Sequence, residues 1–332
     1  MEPLLLVIIG LAPPIGFLAY ILYLDRIEPE PMGFIVKVLL LGGLTVIPVG
    51  LAELALMNLA FFSGSGLTGA ARKSFLLIAP LEEAAKLALV MLVVWRNRNF
   101  NEENDGIVYT GTAAIGFAMV ENLLYVAQFG IATGIMRAVT AIPLHTFTGV
   151  LMGYFIGIAR FAPTPRRTKK NIAAGFLIAL VFHAVYDTFV LSETPAALLM
   201  IPIVIALFIM GIVFLRKGRA SSALRWKGTQ SEPAPMPEAP AAPLHTPDVE
   251  AVAAAVPAPS RGGYRGVIAR IILSLCAVFW ALVIVGIMSD NGSGTIDAMD
   301  AVAGGIIITA IPLAIGIVLE VSHRRRRRES AA

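Results

Sequence analysis

Nine apolar runs, each about as long as a bilayer is thick, limit what this chain can fold into more than any other feature of its sequence. A helix that crosses a membrane needs about 20 mostly apolar residues. The runs lie near residues 3–24, 34–57, 74–95, 107–128, 138–159, 171–191, 196–215, 266–288 and 301–320. Of the 332 residues, 57% are hydrophobic and only 14% are charged, which excludes a pair of soluble domains, where about 25% of residues carry charge. The sequence therefore predicts an all-α fold, a polytopic membrane helix bundle with about nine transmembrane helices.

The distribution of basic residues predicts the orientation of these helices. Lysine and arginine concentrate in the cytoplasmic connections of membrane proteins. With the N-terminus outside, 21 of the 26 lysines and arginines lie on the inner side and 3 on the outer side. We therefore expect the N-terminus outside and the C-terminus in the cytoplasm. The net charge of +4 follows from this asymmetry and does not indicate a nucleic-acid partner.

One segment of different composition divides the chain. Residues 228–263 contain eight prolines among Ala, Ser, Thr and Glu, a composition typical of extended, disordered linkers. The predicted domains are a seven-span catalytic membrane core (1–227), this cytoplasmic linker, and a two-span C-terminal module (264–332). The module ends in a basic tail that we expect to contact anionic lipid.

Ionisable side chains inside the apolar runs are the candidate functional residues, because a charged group in hydrocarbon is costly and is commonly retained for function. They occur in four consecutive runs: Glu82, Glu83 and Lys86 in the third, Glu121 and Asn122 in the fourth, His145 in the fifth, and His183 and Asp187 in the sixth. Since the chain offers no soluble catalytic domain, any chemistry must take place within the membrane.

The depth of four of these residues indicates that they can meet. At a rise of 1.5 Å per residue, Glu82, Glu121, His145 and His183 each lie about 10–12 Å from the outer face of the bilayer core. Four neighbouring antiparallel helices thus place carboxyl and imidazole groups at one level in the outer half of the membrane. Polar residues also join helices without any catalytic role, and that alternative stays open.

The spacing within two of the runs indicates specific chemistry. Glu82 and Lys86 are four residues apart, so they share a helix face and can form an ion pair. Such a pair keeps Glu82 ionised, as a general base must be. His183 and Asp187 have the same spacing, so the aspartate can orient the imidazole or both can bind a metal ion.

These residues resemble the motifs of the PrsW family of intramembrane proteases. Residues 82–86 match its Glu-Glu-x-x-Lys motif, 117–122 its Phe-x-x-x-Glu-Asn motif and 183–187 its His-x-x-x-Asp motif, and His145 matches a lone histidine in the span between. The acidic, proline-containing segment 25–31 is similar to the segment after the family's first span. In the related prenyl-protein endopeptidases the second motif carries histidine, so a glutamate at position 121 favours the PrsW branch.

The resemblance covers about residues 1–215 and implies a glutamic-type or metal-dependent protease. It implies a multi-pass protein of the bacterial cell membrane. The expected substrate is a single-span membrane protein similar to an anti-sigma factor, cut on its extracytoplasmic side. Residues 228–332 match no family that we recognise.

The combined interpretation assigns a role to each candidate residue. Glu82 or Glu83 activates a water molecule, with Glu82 favoured because of Lys86. His145 and His183 position that water or stabilise the oxyanion, and Glu121 and Asp187 orient the two imidazoles. Lys86 and Asn122 are supporting residues.

The sequence leaves the use of a metal open. His145, His183 and either Glu121 or Asp187 can serve as ligands to zinc. A metal-free glutamate and histidine site is favoured, because the His-Glu-x-x-His helix of many zinc proteases is absent.

The alternative function is a proton- or ion-coupled transporter, whose relay would also use carboxylates and histidines. The sequence shows neither duplicated halves nor paired broken helices, which transporters commonly have.

Overall fold

A computed structural model describes residues 2–25 and 28–231, and every regular element in these two ranges is helical. The ten α-helices are α1 (Glu2–Leu24), α2 (Met32–Leu44), α3 (Val46–Met57), α4 (Gly66–Lys73), α5 (Ala79–Leu89), α6 (Glu103–Phe129), α7 (Ile131–Val139), α8 (Ala141–Arg160), α9 (Pro165–Val190) and α10 (Met200–Ser231). The predicted all-α class is confirmed for this part of the chain. The eighth and ninth predicted spans and the basic tail lie outside the described residues.

Six helical segments in the described ranges are long and apolar enough to cross a membrane. They are Val7–Leu24, Met32–Met57, Glu103–Phe129, Ile131–Arg160, Pro165–Val190 and Pro195–Ser222. Each overlaps one of the predicted apolar runs, namely the first, second, fourth, fifth, sixth and seventh.

The third predicted span is helical but not a regular α-helix. Helical structure continues from Gly66 to Val94, and two π-helical turns, Ser74–Ile78 and Val90–Val94, flank α5. A π turn widens the helix by one residue and is often found beside functional residues. The short helix α5 between these turns carries Glu82, Glu83 and Lys86.

Small residues let α6 and α8 approach closely. Gly106 on α6 lies against the backbone of Gly153 and Gly157 on α8, and a Cβ atom on any of the three would collide with the facing helix. Glycine at such positions is typical of helix pairs in membranes. The same two helices carry Glu121 and His145 toward their opposite ends.

Helix α6 lies at the centre of the bundle. It contacts α1, α2 and α8, while α8 also packs against α9 and α10. Its N-terminus has a capping box in which the Glu102 side chain accepts from the Asp105 backbone and the Asp105 side chain accepts from the Glu102 backbone.

The first residues of the predicted linker, 228–263, lie within the described part of the chain. Helix α10 continues to Ser231, so residues 228–231 of the predicted linker are helical. The remainder of that linker lies outside the described residues.

Candidate active site

Four helices bring the predicted site residues into one buried cluster. The members are Glu82, Glu83 and Lys86 from α5, Glu121 from α6, His145 from α8, and His183 and Asp187 from α9. The two imidazole rings meet edge to face, with their centroids 5.0 Å apart. The structure therefore joins residues that lie more than 100 positions apart in the chain.

Glu83 holds two other members of the cluster through one carboxylate oxygen, while its Oε2 is buried without a hydrogen-bond partner among the described residues. Its Oε1 accepts from Lys86 Nζ at 2.7 Å and from His183 Nδ1 at 2.7 Å. Glu83 is completely buried, and a buried charge is tolerated when it is paired and hydrogen-bonded. The chemical consequence is a His183 ring fixed in orientation, with Nε2 left to face the interior of the site.

The predicted ion pair between Glu82 and Lys86 is present, but Lys86 has a closer partner in Glu83. Lys86 Nζ lies 3.7 Å from Glu82 Oε2 but only 2.7 Å from Glu83 Oε1. Residues three apart on a helix are neighbours as much as residues four apart, and here the ammonium turns to Glu83. It also donates to His145 Nδ1 at 3.0 Å and lies 4.7 Å from the centre of the Phe117 ring.

Glu82 is the carboxylate that remains available. Its Oε2 is buried and has no hydrogen-bond partner among the described residues. That oxygen lies 3.8 Å from His145 Nδ1 and 3.8 Å from His183 Nε2. Glu82 thus directs a carboxylate oxygen without a hydrogen bond at both imidazoles, and its ion pair with Lys86 is the longer of the two that the lysine makes.

His145 is oriented from the side opposite to Glu82. Its Nε2 donates to Glu121 Oε2 at 2.8 Å. A carboxylate behind an imidazole determines which ring nitrogen carries the proton. Nδ1 is then left with its lone pair toward Lys86 and Glu82.

Asp187 lies at the edge of the cluster. Its Oδ2 is 3.2 Å from His183 Nε2, so it faces the ring nitrogen that looks into the site. The hydrogen bond to His183 Nδ1 comes from Glu83 instead. Asp187 and Glu83 therefore both orient the His183 ring.

Asn122 has contacts outside the cluster. Its Nδ2 donates to the carbonyl oxygen of Gly10 at 3.0 Å, which ties α6 to α1. Its Oδ1 accepts from Arg137 Nε at 3.2 Å.

Sequence analysis missed Arg137 and counted it only as an outer-side charge. It lies on the short helix α7, and its Nη2 donates to Glu121 Oε2 at 2.7 Å. Its guanidinium carbon also lies 3.9 Å from the centre of the Tyr125 ring. No motif surrounds Arg137. The one sequence signal is the strong hydrophobic asymmetry of α7, which indicates that one face of this helix packs toward the interior.

Three atoms of the cluster converge well enough to hold a metal ion. They belong to Glu82, His145 and His183, and lie within 4.8 Å of one another. Two imidazoles and one carboxylate are a donor set that catalytic zinc takes. Three observations support the fit: the unpartnered Glu82 Oε2, the carboxylate behind each imidazole, and an excess of carboxyl groups (Glu82, Glu83, Glu121, Asp187) over the cations Lys86 and Arg137.

The converging residues include both predicted histidines, with Glu82 where the prediction had Glu121 or Asp187. Glu121 contacts His145 Nε2, on the far side of the ring from the converging atoms. Lys86 Nζ lies against the same His145 Nδ1, and a metal ion at that nitrogen would displace the lysine.

A second polar cluster lies at the opposite end of α6 from Glu121. Asn104 Nδ2 donates to Asp25 Oδ1 at 2.7 Å, and the Tyr109 hydroxyl donates to Glu30. Burial beside Asp105 raises the pKa of Asp25 to about 7, and burial raises the pKa of Glu30 to about 9. Both carboxyl groups thus favour their neutral forms, and they hold the connection between α1 and α2 against α6.

A buried cluster of glutamates and histidines within membrane-spanning helices is an arrangement that suits the class of intramembrane proteases. Residues 30–214 match the model of the PrsW family of intramembrane metalloproteases. Because this match spans more than half of the chain, the chain belongs to that family. The protein is accordingly a protease and a multi-pass protein of the bacterial cell membrane.

Curated relatives agree with this assignment. Protease PrsW of Geobacillus kaustophilus is 35% identical over 185 residues, which cover 55% of this chain and 79% of the relative. Protease PrsW of Oceanobacillus iheyensis is 29% identical over 215 residues, and that of Bacillus subtilis is 29% identical over 216 residues. Each of these two alignments covers 65% of this chain and 96% of the relative. No solved structure gave a significant match.

Proposed function

We propose that this protease hydrolyses a peptide bond of a single-span membrane protein, using a water molecule that Glu82 activates. The observation that carries the proposal is the position of Glu82 Oε2, buried, unengaged, and 3.8 Å from a nitrogen of each histidine. One water molecule can contact all three atoms at hydrogen-bonding distance.

Each residue of the cluster has a separate role in the proposed hydrolysis. Glu82 takes the proton of the water as its oxygen attacks the carbonyl carbon, and later returns that proton to the leaving amine as the carbon–nitrogen bond breaks. His145 Nδ1 helps to position the water, and His183, in its protonated form, directs an Nε2–H donor at the charge that develops on the carbonyl oxygen. Glu121 and Glu83 keep the two rings oriented, and Lys86 balances the charge of Glu83.

A divalent metal ion fits the same three atoms of Glu82, His145 and His183. When bound there, it would supply Lewis-acid chemistry by polarising the scissile carbonyl. In that form of the site, Glu82 is a ligand rather than the base. The donor set favours zinc.

The expected topology agrees with a cut near the outer face. Nine spans with the N-terminus outside place the cluster in the outer half of the membrane, and the basic tail on the inner, anionic leaflet. An extracytoplasmic cut of a protein similar to an anti-sigma factor suits this depth.

The test uses the full chain in liposomes with a single-span reporter protein that carries a different tag at each end. Wild type is expected to produce two tagged fragments with new termini, and Glu82→Gln and His183→Asn to produce none. The control is Glu193→Gln, the same chemical change at an exposed loop position. Equal cleavage by Glu82→Gln and wild type would refute the role of Glu82.

The transporter alternative is not favoured, because the family and the curated relatives are proteases. Ion flux through the same liposomes without any fragment would support it.

A further inference from the structure

The side chain of Arg137 connects a surface helix to the interior of the site. Its side chain is only 14% exposed, although α7 lies at the end of the bundle between α6 and α8. Nη2 contacts Glu121 and Nε contacts Asn122, so one guanidinium binds two consecutive residues of α6. The planar guanidinium is suited to such paired contacts.

Glu121 Oε2 is shared between two donors. It accepts from Arg137 Nη2 at 2.7 Å and from His145 Nε2 at 2.8 Å. An oxygen that accepts from both groups acts as an acceptor toward the ring and leaves the ring proton on Nε2.

From this geometry we infer that Arg137 is a positioning residue for catalysis: it holds Glu121 so that His145 keeps its proton on Nε2 and presents Nδ1 to Glu82. Without the guanidinium, the Glu121 carboxylate loses its second anchor and can rotate away from the ring. The Nε2–H group of His145 then loses its acceptor, and only the Lys86 donor at Nδ1 still favours one ring state. The catalytic consequence rests on the proposed function, whereas the state of the ring does not.

Helix α7 is well placed to support this contact. It packs against α1, α6 and α8, and Gly134 lies against Ile9 of α1 and Val126 of α6. Tyr125, one turn beyond Glu121 on α6, stacks against the guanidinium. Arg137 is therefore held by groups that are independent of the catalytic cluster.

The ring state of His145 can be read directly by nuclear magnetic resonance. The chain contains four histidines, so full-length protein with 15N-labelled histidine gives few signals, and His145→Asn identifies those of His145. Wild type should show a one-bond 15N–1H correlation at Nε2 of His145. Arg137→Gln should weaken that correlation and show a mixture of ring states, while Arg137→Lys should keep part of it.

The matched control is Arg72→Gln. Arg72 donates to the backbone carbonyls of Phe61 and Ser63 and lies beside the Phe61 ring, so it shares the chemistry of Arg137 without touching the site. Its substitution should leave the His145 signals unchanged. An unchanged Nε2 correlation in Arg137→Gln would overturn the inference, whether or not the protein proves to be a protease.

Kinetic measurements with the single-span reporter distinguish the loss of a positioned catalytic group from the loss of folded protein. Removing a residue that orients an active-site histidine typically costs about 10–100-fold in activity, and this loss should fall on kcat with KM nearly unchanged. Arg137→Gln added to Glu121→Gln should cause little further loss, since both act through one contact. If Arg137→Gln fails to fold, Arg137→Lys is used for the test instead. A wild-type kcat together with wild-type ring signals in Arg137→Lys would then contradict the inference.

Discussion

At the scale of single residues, the site is organised by which oxygen each donor reaches. Lys86 could pair with either adjacent glutamate, and it lies closer to Glu83. This choice leaves Glu82 free to face both imidazoles. The two neighbouring carboxylates therefore differ in their roles because one lysine lies closer to Glu83 than to Glu82.

Substitution of Lys86 should test this charge balance. Lys86→Met leaves the fully buried Glu83 without its ammonium partner, and breaking a buried pair by removing one partner costs about 3–5 kcal/mol. The free energy of unfolding in detergent should fall by that amount. Lys73→Met, which removes only a bond to the Gly64 carbonyl oxygen, should have little effect, and equal losses in both variants would contradict the pairing.

The metal content of the purified chain tests the three converging atoms. The metal-bound form of the site predicts about one divalent metal ion per wild-type chain and none in Glu82→Gln. In that form, chelation should abolish cleavage and added zinc should restore it, whereas a site in which Glu82 is the base should be insensitive to chelation. Full activity in a metal-free sample would show that Glu82 acts as the base unaided.

At the scale of helices, close packing brings the catalytic groups together. The pair α6 and α8 carries Glu121 and His145, and glycines at Gly106, Gly153 and Gly157 bring the two backbones into contact. A side chain at these positions would force the two backbones apart at this end of the helix pair.

A pair of matched substitutions measures this effect. Gly153→Ala places a methyl group against the backbone of α6, whereas the Cβ position at Gly50 in α3 meets nothing within 4 Å. Overpacking costs about 1–3 kcal/mol, while alanine for glycine in an open helical position stabilises by about 0.4–1 kcal/mol. The two substitutions are therefore expected to change the unfolding free energy in opposite directions, and equal changes would argue against a tight α6–α8 contact.

The carboxyl groups between α1 and α2 should make stability depend on pH. The folded protein raises the pKa of Asp25 to about 7 and of Glu30 to about 9, mainly through burial, whereas unfolded carboxyl groups titrate near 4. The unfolded chain therefore binds fewer protons above pH 4. The stabilising contribution of both groups is complete below about pH 4 and is lost as the pH rises through 7 and 9.

The measurement is the unfolding midpoint in detergent between pH 5 and pH 9.5. It should fall with pH in wild type and fall much less in Asp25→Asn/Glu30→Gln. Exposed Glu193→Gln should keep the wild-type slope. An unchanged slope in the double variant would show that groups other than Asp25 and Glu30 cause the pH dependence of stability.

At the scale of the whole molecule, the described residues account for the entire catalytic cluster. The family match ends at residue 214, and α10 packs against α8 through Phe208 and Phe214 and against α6 through Gly218. We therefore expect the proposed chemistry to require nothing beyond α10.

Truncation tests this conclusion. A chain ending at Ser231 should insert and cleave the reporter as wild type does, because α10 is intact. A chain ending at Leu199 lacks α10 and should lose activity, since Phe147 of α8 loses its contact with Gly211. Loss of activity in a well-inserted chain ending at Ser231 would mean that the C-terminal module completes or regulates the site.

The sequence by itself determined the all-α class, the approximate limits of six spanning helices, and the common depth of Glu82, Glu121, His145 and His183. These properties depend on hydrophobicity and on the constant rise of a helix, which are local. Only the tertiary structure decided that Lys86 contacts Glu83, that Glu82 converges with the two histidines, and that Arg137 reaches into the site. Those contacts depend on how each helix is rotated about its axis and on which rotamer each side chain takes. Both are determined by packing between helices that are distant in the chain, such as α6 and α8.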